Sequence, residues 1–138
     1  MRDPKRVAVL ISGRGSNMRA LAENASGYGV ALVASNKPQA AGLDWARERG
    51  VPTWTWDSKG VDKETFDRTM SAALDDHRIG TVALAGFMRI LTPWFIEEWR
   101  GRILNIHPSL LPKYRGLDTH ARAIEAGDAV GGCSGHVV

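Results

Sequence analysis

Short apolar runs alternate along this chain with longer segments in which apolar residues recur at helical spacing. Runs rich in β-branched and small apolar side chains are typical of strands buried on both faces of a parallel sheet. Predicted strands therefore cover residues 6–11, 30–35, 53–56, 81–85 and 103–106, and a sixth strand begins within 134–138. Predicted helices cover residues 18–23, 39–49, 63–77, 94–99 and 119–126.

This alternation predicts βαβ units, and with them a three-layer α/β/α fold of the Rossmann-like type with a mostly parallel sheet. The helix at 63–77 carries Phe66, Met70 and Leu74 at four-residue spacing, which predicts that these side chains face the sheet. At 138 residues the chain has the length of one domain, and we expect a single domain over residues 1–138. The run at 134–138 has no turn or capping helix after it, so we expect a truncated product that lacks the C-terminal part of its fold.

Composition narrows the functional classes only a little. Apolar residues make up 43% and charged residues 24% of the chain, as in ordinary soluble proteins. The net charge of +3 favours an anionic small molecule, and without a basic cluster we expect no nucleic-acid partner. Cys133 is the only cysteine, which excludes an internal disulfide and predicts a cytoplasmic setting. We expect neither a membrane span nor a signal peptide, and no spacing of His, Cys, Asp and Glu suggests a metal.

The segment Ser12-Gly13-Arg14-Gly15-Ser16-Asn17 lies between a predicted strand and a predicted helix. Its glycines let backbone N–H groups approach an anion, and the start of a helix adds partial positive charge. Because it matches neither a Walker loop nor the full dinucleotide fingerprint, the segment suits a single phosphate monoester better. The alternative is a tight turn in which Ser16 is the helix N-cap.

A second candidate segment begins at Ala85, the last residue of the strand predicted at 81–85, and runs to Pro93. An apolar loop with one cation, Arg89, can line a pocket for a flat hydrophobic ring while its backbone amides bind the edge of the ring. The alternative is a loop that only fills the core beneath the next helix.

A third segment ends the strand at 103–106 and contains Asn105 and His107. Side chains alternate along a strand, so these two should share one face while Leu104 and Ile106 point to the other. Asn105 can donate a hydrogen bond to a carbonyl oxygen as it becomes an oxyanion, and His107 can carry protons between an attacking and a leaving amine. All three segments follow strands, and we expect them to meet at the carboxyl edge of the sheet, where such folds bind ligands.

Taken together, residues 10–17, 84–91 and 104–114 resemble the glycinamide ribonucleotide transformylase (phosphoribosylglycinamide formyltransferase) family, the folate-dependent enzymes of purine synthesis. The matching stretches are LISGRGSN, LAGFMRIL and LNIHPSLLPKY, in the family's order. The resemblance implies the formyltransferase form of the fold. It also implies transfer of a formyl group, without a metal, from 10-formyltetrahydrofolate to the amine of glycinamide ribonucleotide. The resemblance is also compatible with a homodimer.

The resemblance further implies which residues bind each molecule. The phosphate and ribose side of the substrate would be held by Gly15, Ser16 and Asn17. The folate pteridine would be surrounded, largely through the backbone, by Met88, Arg89, Ile90 and Leu91. Lys63 stands where the family commonly has an arginine that contacts folate, and its implied role is weaker.

For catalysis, the resemblance implies that Asn105 polarises the formyl oxygen and that His107 donates the proton. His136 would have either a supporting role or a plain structural one. The family's catalytic aspartate follows a strand like Ser134-Gly135-His136, and this sequence ends before that position, which should weaken His107 as a proton carrier. Two other functions therefore stay open: a non-catalytic module that binds a phosphate ligand, and a related formyltetrahydrofolate hydrolase.

Overall fold

A computed structural model of the protein describes residues 1–106 and 135–137. These residues form a six-stranded sheet with apolar cores on both of its faces. In chain order the elements are β1 (Asp3–Ile11), α1 (Ser16–Glu23), β2 (Gly29–Ser35), α2 (Ala41–Glu48), β3 (Thr53–Thr55), α3 (Lys63–Asp76), β4 (Ile79–Leu84), α4 (Pro93–Glu98), β5 (Ile103–Ile106) and β6 (Gly135–Val137).

The strands lie in the order β3-β2-β1-β4-β5-β6. Strands β1 to β5 pair in parallel, and β6 pairs antiparallel with β5. The chain adds β2 and β3 on one side of β1 and then returns to place β4 on the other side, so the strand order reverses between β1 and β4. Such a reversal opens a crevice at the carboxyl ends of the two strands. The predicted Rossmann-like fold with a mostly parallel sheet is confirmed.

Alternate side chains of the central strand enter two separate cores. Val7, Val9 and Ile11 of β1 pack on the side of α1 and α2, whereas Ala8 and Leu10 pack on the side of α3 and α4. All five side chains are fully buried, as expected for a strand in the middle of a parallel sheet.

The helix that was predicted to bury Phe66, Met70 and Leu74 does so, and α3 covers the sheet through these side chains. The predicted helix at 119–126 lies outside the described residues. The strand predicted to begin within 134–138 is present as β6.

Several element ends differ from the prediction by one to three residues, and two of these differences have identifiable reasons. Helix α1 begins at Ser16 rather than at residue 18, because Gly15 takes a left-handed conformation (φ 71°) and is itself the N-cap. The alternative in which Ser16 is the N-cap is therefore wrong. Strand β1 begins at Asp3 rather than at residue 6, because Asp3 pairs with Ile79 and its amide donates to the Arg78 carbonyl at 3.1 Å.

Candidate functional site

Two of the three candidate segments meet at the reversal of strand order. We call residues 12–15, which follow β1, the glycine loop, and residues 85–92, which follow β4, the apolar loop. The two loops leave neighbouring strands, and the Ala85 amide donates to the Leu10 carbonyl at 3.0 Å. Further out, the backbone N–H of Met88 donates to the Ser12 hydroxyl at 2.8 Å. The convergence that the sequence predicted is therefore observed for these two loops.

The glycine loop leads directly into α1. Gly15 closes the turn, and a Cβ at this position would lie 2.8 Å from the Met18 side chain and 3.4 Å from the backbone of Gly42. No side chain among the described residues caps the first turn of α1, so its leading backbone N–H groups keep the donor capacity that suits an anion. Ser16 is exposed and Asn17 is half-buried at this helix start. The structure thus brings together the three residues predicted to hold a phosphate.

A series of hydrogen bonds between polar side chains supports the glycine loop. The Ser12 hydroxyl, in addition to accepting from Met88, donates to Asn36 Oδ1 at 2.8 Å. The Asn36 side-chain amide in turn donates to the Ser58 hydroxyl at 3.4 Å. Ser12, Asn36 and Ser58 follow β1, β2 and β3 respectively, so this chain of hydrogen bonds runs along the carboxyl edge of the sheet.

The apolar loop divides its side chains between solvent and core. Met88 and Ile90 are 79% and 81% exposed, which is unusual for large apolar residues. Leu91, by contrast, is buried and packs with the core on the α3 side. The core-filling alternative therefore holds for Leu91, while Met88 and Ile90 offer apolar surface at the crevice.

Arg89 and Lys63 meet where the apolar loop crosses the start of α3. The Arg89 guanidinium donates to the Lys63 carbonyl at 3.3 Å and lies 4.4 Å from the centre of the Phe66 ring. Its Nε lies 3.8 Å from Oδ1 of the buried Asp67. The Arg89 side chain is thus turned toward α3. Lys63 itself is exposed at the first position of α3.

Asn105 lies near the carboxyl end of β5 and is half-buried. Its backbone pairs with Leu84 of β4 on one side and is opposite His136 of β6 on the other. Leu104 and Ile106 pack into the core on the α1 side, so the predicted alternation of faces is confirmed for β5. His107 lies outside the described residues, and its predicted partnership with Asn105 stays a prediction.

Ser12, Asn36 and Asp67 support the site. Ser12 opens the first candidate segment, but the sequence predicted no role for its side chain, and Asn36 and Asp67 were not singled out. A signal for Asp67 was present, since it is an acidic residue directly beside Phe66 and one turn before Ser71 on the buried side of α3. The signal for Ser12 and Asn36 was weaker, because many polar residues directly follow strands. Among residues 1–106 and 135–137, no group of three or more His, Cys, Asp or Glu side chains could hold a metal ion. The helices in this described part of the chain are too short or too polar to cross a membrane.

Comparison with known proteins identifies the family of this chain, and the chain spans less than two thirds of the length of several curated relatives. The sequence model of the formyl transferase family matches residues 5–138. Phosphoribosylglycinamide formyltransferase of Escherichia coli is 47% identical over 137 residues, which cover 96% of this chain and 65% of that protein. The trifunctional purine biosynthetic protein adenosine-3 of Drosophila melanogaster is 48% identical over 141 residues, which cover 97% of this chain and 10% of that protein. The crystal structure of phosphoribosylglycinamide formyltransferase from Brucella melitensis superposes with a TM-score of 0.71 at 44% identity, covering 93% of this chain and 68% of that one.

Proposed function

Because the chain belongs to the formyl transferase family, we propose that it transfers a formyl group from 10-formyltetrahydrofolate to the amine of glycinamide ribonucleotide in purine biosynthesis. The names of the relatives from Escherichia coli and Brucella melitensis support this reaction. The observation that carries the proposal is the 2.8 Å hydrogen bond from Met88 N to the Ser12 hydroxyl, which holds the glycine loop beside the apolar loop at the reversal of strand order.

The two loops suit two different ligands. The uncapped start of α1, with Gly15, Ser16 and Asn17, would bind the phosphate of glycinamide ribonucleotide through backbone N–H groups. The exposed side chains of Met88 and Ile90 would cover the faces of the pteridine, and the backbone between Met88 and Leu91 would bind its polar edge. Lys63, beside the same loop, would attract the anionic part of the folate.

The reaction exchanges a formyl group for a hydrogen. The substrate amine attacks the formyl carbon and forms a carbon–nitrogen bond, while the bond between that carbon and N10 of the folate breaks. A proton leaves the attacking amine and is delivered to N10. The Asn105 side-chain amide would donate a hydrogen bond to the formyl oxygen as negative charge develops on it. His107 is proposed as the proton carrier, because strand alternation continued from Asn105 gives both positions one face.

Calorimetry and a product assay on the same preparation test this function. We expect the chain to bind glycinamide ribonucleotide and tetrahydrofolate separately, with inorganic phosphate competing only against the first. Chromatography should then show formylated glycinamide ribonucleotide after 10-formyltetrahydrofolate is added. Binding without product would identify a phosphate-ligand module, and release of formate without the ribonucleotide would identify a hydrolase. If neither molecule binds, the proposal is wrong.

Asn105 gives the sharpest variant for the same assay. We expect Asn105→Ala to lower turnover roughly 10²- to 10³-fold, as removal of one oxyanion donor does in other enzymes, while glycinamide ribonucleotide still binds. Asn24→Ala is the matched control, because Asn24 is exposed at the end of α1, away from the crevice. Equal turnover in the two variants would remove Asn105 from the mechanism.

The cellular location and the oligomeric state are also proposals. The single cysteine supports a cytoplasmic location, and fractionation of the source cells would test it. The homodimer that the family resemblance leaves room for would be tested by light scattering on the purified chain.

A further inference from the structure

Asp67 is a fully buried carboxylate on the side of α3 that is turned away from solvent. It lies on α3 beside Phe66 and one turn before Met70 and Ser71, and its exposed fraction is 0%. Acidic side chains are rarely buried to this extent unless polar partners compensate for the loss of water. The hydrogen-bond and ion-pair partners of Asp67 should therefore indicate the role of its carboxylate.

Its hydrogen bond and its ion pair within the described residues both come from the apolar loop. The backbone N–H of Thr92 donates to Asp67 Oδ2 at 2.8 Å. Arg89 Nε lies 3.8 Å from Oδ1, which allows electrostatic attraction but is too long for a hydrogen bond. Neither of these two facing atoms has another hydrogen-bond partner in the described part of the chain. The carboxylate thus holds the loop at its end and draws Arg89 inward.

The other end of the same stretch is held as well. Met88 N donates to the Ser12 hydroxyl, four residues before Thr92. Between these two anchored amides, the backbone N–H groups of residues 89–91 make no hydrogen bond to any residue that the structure describes. A short loop whose ends are fixed and whose central amides stay available is preorganised to bind a ligand through its backbone.

We infer that Asp67 is a positioning residue that fixes the apolar loop in the conformation that binds the folate, and this inference rests on the function proposed above. The carboxylate does not touch the ligand. It sets where the amides of residues 89–91 point, through Thr92 at the loop end and through Arg89 at its centre. The glycine loop is anchored separately by Ser12 and Asn36, so binding of glycinamide ribonucleotide should not depend on Asp67.

Calorimetry with two ligands separates this role from a purely structural one. We expect Asp67→Ala to raise the Kd for tetrahydrofolate roughly 10- to 100-fold, the factor that corresponds to a lost hydrogen bond to a charged group. The Kd for glycinamide ribonucleotide should change less than about twofold. Asp76→Ala is the matched control, because Asp76 is an exposed carboxylate on the same helix that makes no side-chain hydrogen bond to the described residues.

Asp67→Asn provides a second variant in case the alanine variant does not fold. Its amide oxygen can still accept from Thr92 N, while the charge that attracts Arg89 is lost, so the Kd for tetrahydrofolate should rise severalfold. A wild-type Kd for tetrahydrofolate in whichever folded variant is measured would overturn the positioning role. An equal loss of affinity for both ligands would also overturn it, since that pattern indicates general destabilisation. If the unmodified chain binds no tetrahydrofolate, the proposed function itself fails. If the unmodified chain binds it and the Asp67 variants bind it equally well, only the positioning role fails.

Discussion

Replacement of Ser12 by alanine should weaken both the fold and the crevice. Ser12 is 7% exposed, and its side chain bonds to Asn36, 24 positions away in the chain, and to Met88, 76 positions away. Its hydroxyl accepts from Met88 N at 2.8 Å and donates to Asn36 Oδ1 at 2.8 Å. Alanine keeps the Cβ and removes both bonds.

The expected cost follows from the groups that lose their partner. Asn36 is 5% exposed, so its Oδ1 would be buried without a donor, which costs about 1–3 kcal/mol. The Met88 amide is partly buried and can regain water, so the loss there is about 0.5–1.5 kcal/mol. We therefore expect Ser12→Ala to lower the free energy of unfolding by about 1.5–4.5 kcal/mol.

Urea denaturation measures this difference as a shift in midpoint at constant m-value. Ser26→Ala is the control, since Ser26 is exposed and makes no side-chain hydrogen bond to the described residues. In a double-mutant cycle with Asn36→Ala, the combined variant should cost less than the sum of the single ones, because the second change removes the acceptor that the first left unpaired. A cost for Ser12→Ala below about 0.5 kcal/mol, as at an ordinary surface site, would refute the reasoning.

Three further predictions concern the glycine loop, a buried tyrosine and the histidines. Gly15→Ala should lower the free energy of unfolding by about 1–2 kcal/mol because φ is 71°. The new Cβ would also lie 2.8 Å from the end of the Met18 side chain, which must shift, so binding of glycinamide ribonucleotide should weaken. Gly50 has a similar φ of 74° but open space around the position of an added Cβ, so Gly50→Ala should lose only the stability that the backbone strain costs. Equal losses of stability for the two variants in urea denaturation would show that crowding at Gly15 is unimportant. Burial raises the pKa of Tyr28 from 10.0 to about 12. The folded chain therefore keeps this proton while the unfolded chain releases it, and stability that is complete below pH 10.0 should fall by up to about 2–3 kcal/mol as the pH rises toward about 12. Urea midpoints of Tyr28→Phe should lack this alkaline fall, and a parallel fall in both proteins would contradict the assignment. In the formyl-transfer assay His107→Asn should lose more turnover than the same change at His120, a histidine outside the three segments that resemble the family. The reverse order would show that the wrong histidine was chosen.

Much of the architecture could be predicted because buried strands and helices have characteristic patterns of apolar residues in the local sequence. A strand between two helical layers must be apolar at every position, and residues 7–11 show this as an unbroken run. A helix on the sheet must be apolar once per turn, as Phe66, Met70 and Leu74 are. The ends of elements were less predictable, since α1 begins where Gly15 takes a positive φ, and the sequence permits that conformation without requiring it.

The sequence predicted the segments that form the candidate site, but not the side chains that hold those segments in place. The glycine loop and the apolar loop each follow a buried strand, and Asn105 lies near the carboxyl end of another. Parallel strands bring their carboxyl ends to one edge of the sheet. The sequence by itself therefore determined the order of strands and helices, the two buried faces and the edge at which ligand-binding loops would collect. Only the tertiary structure decided that β4 lies beside β1, that Ser12 meets Met88 and that Asp67 meets Thr92. Hydrophobic periodicity records whether a side chain is buried, whereas the identity of its partner depends on how distant segments pack together, and local sequence does not record that.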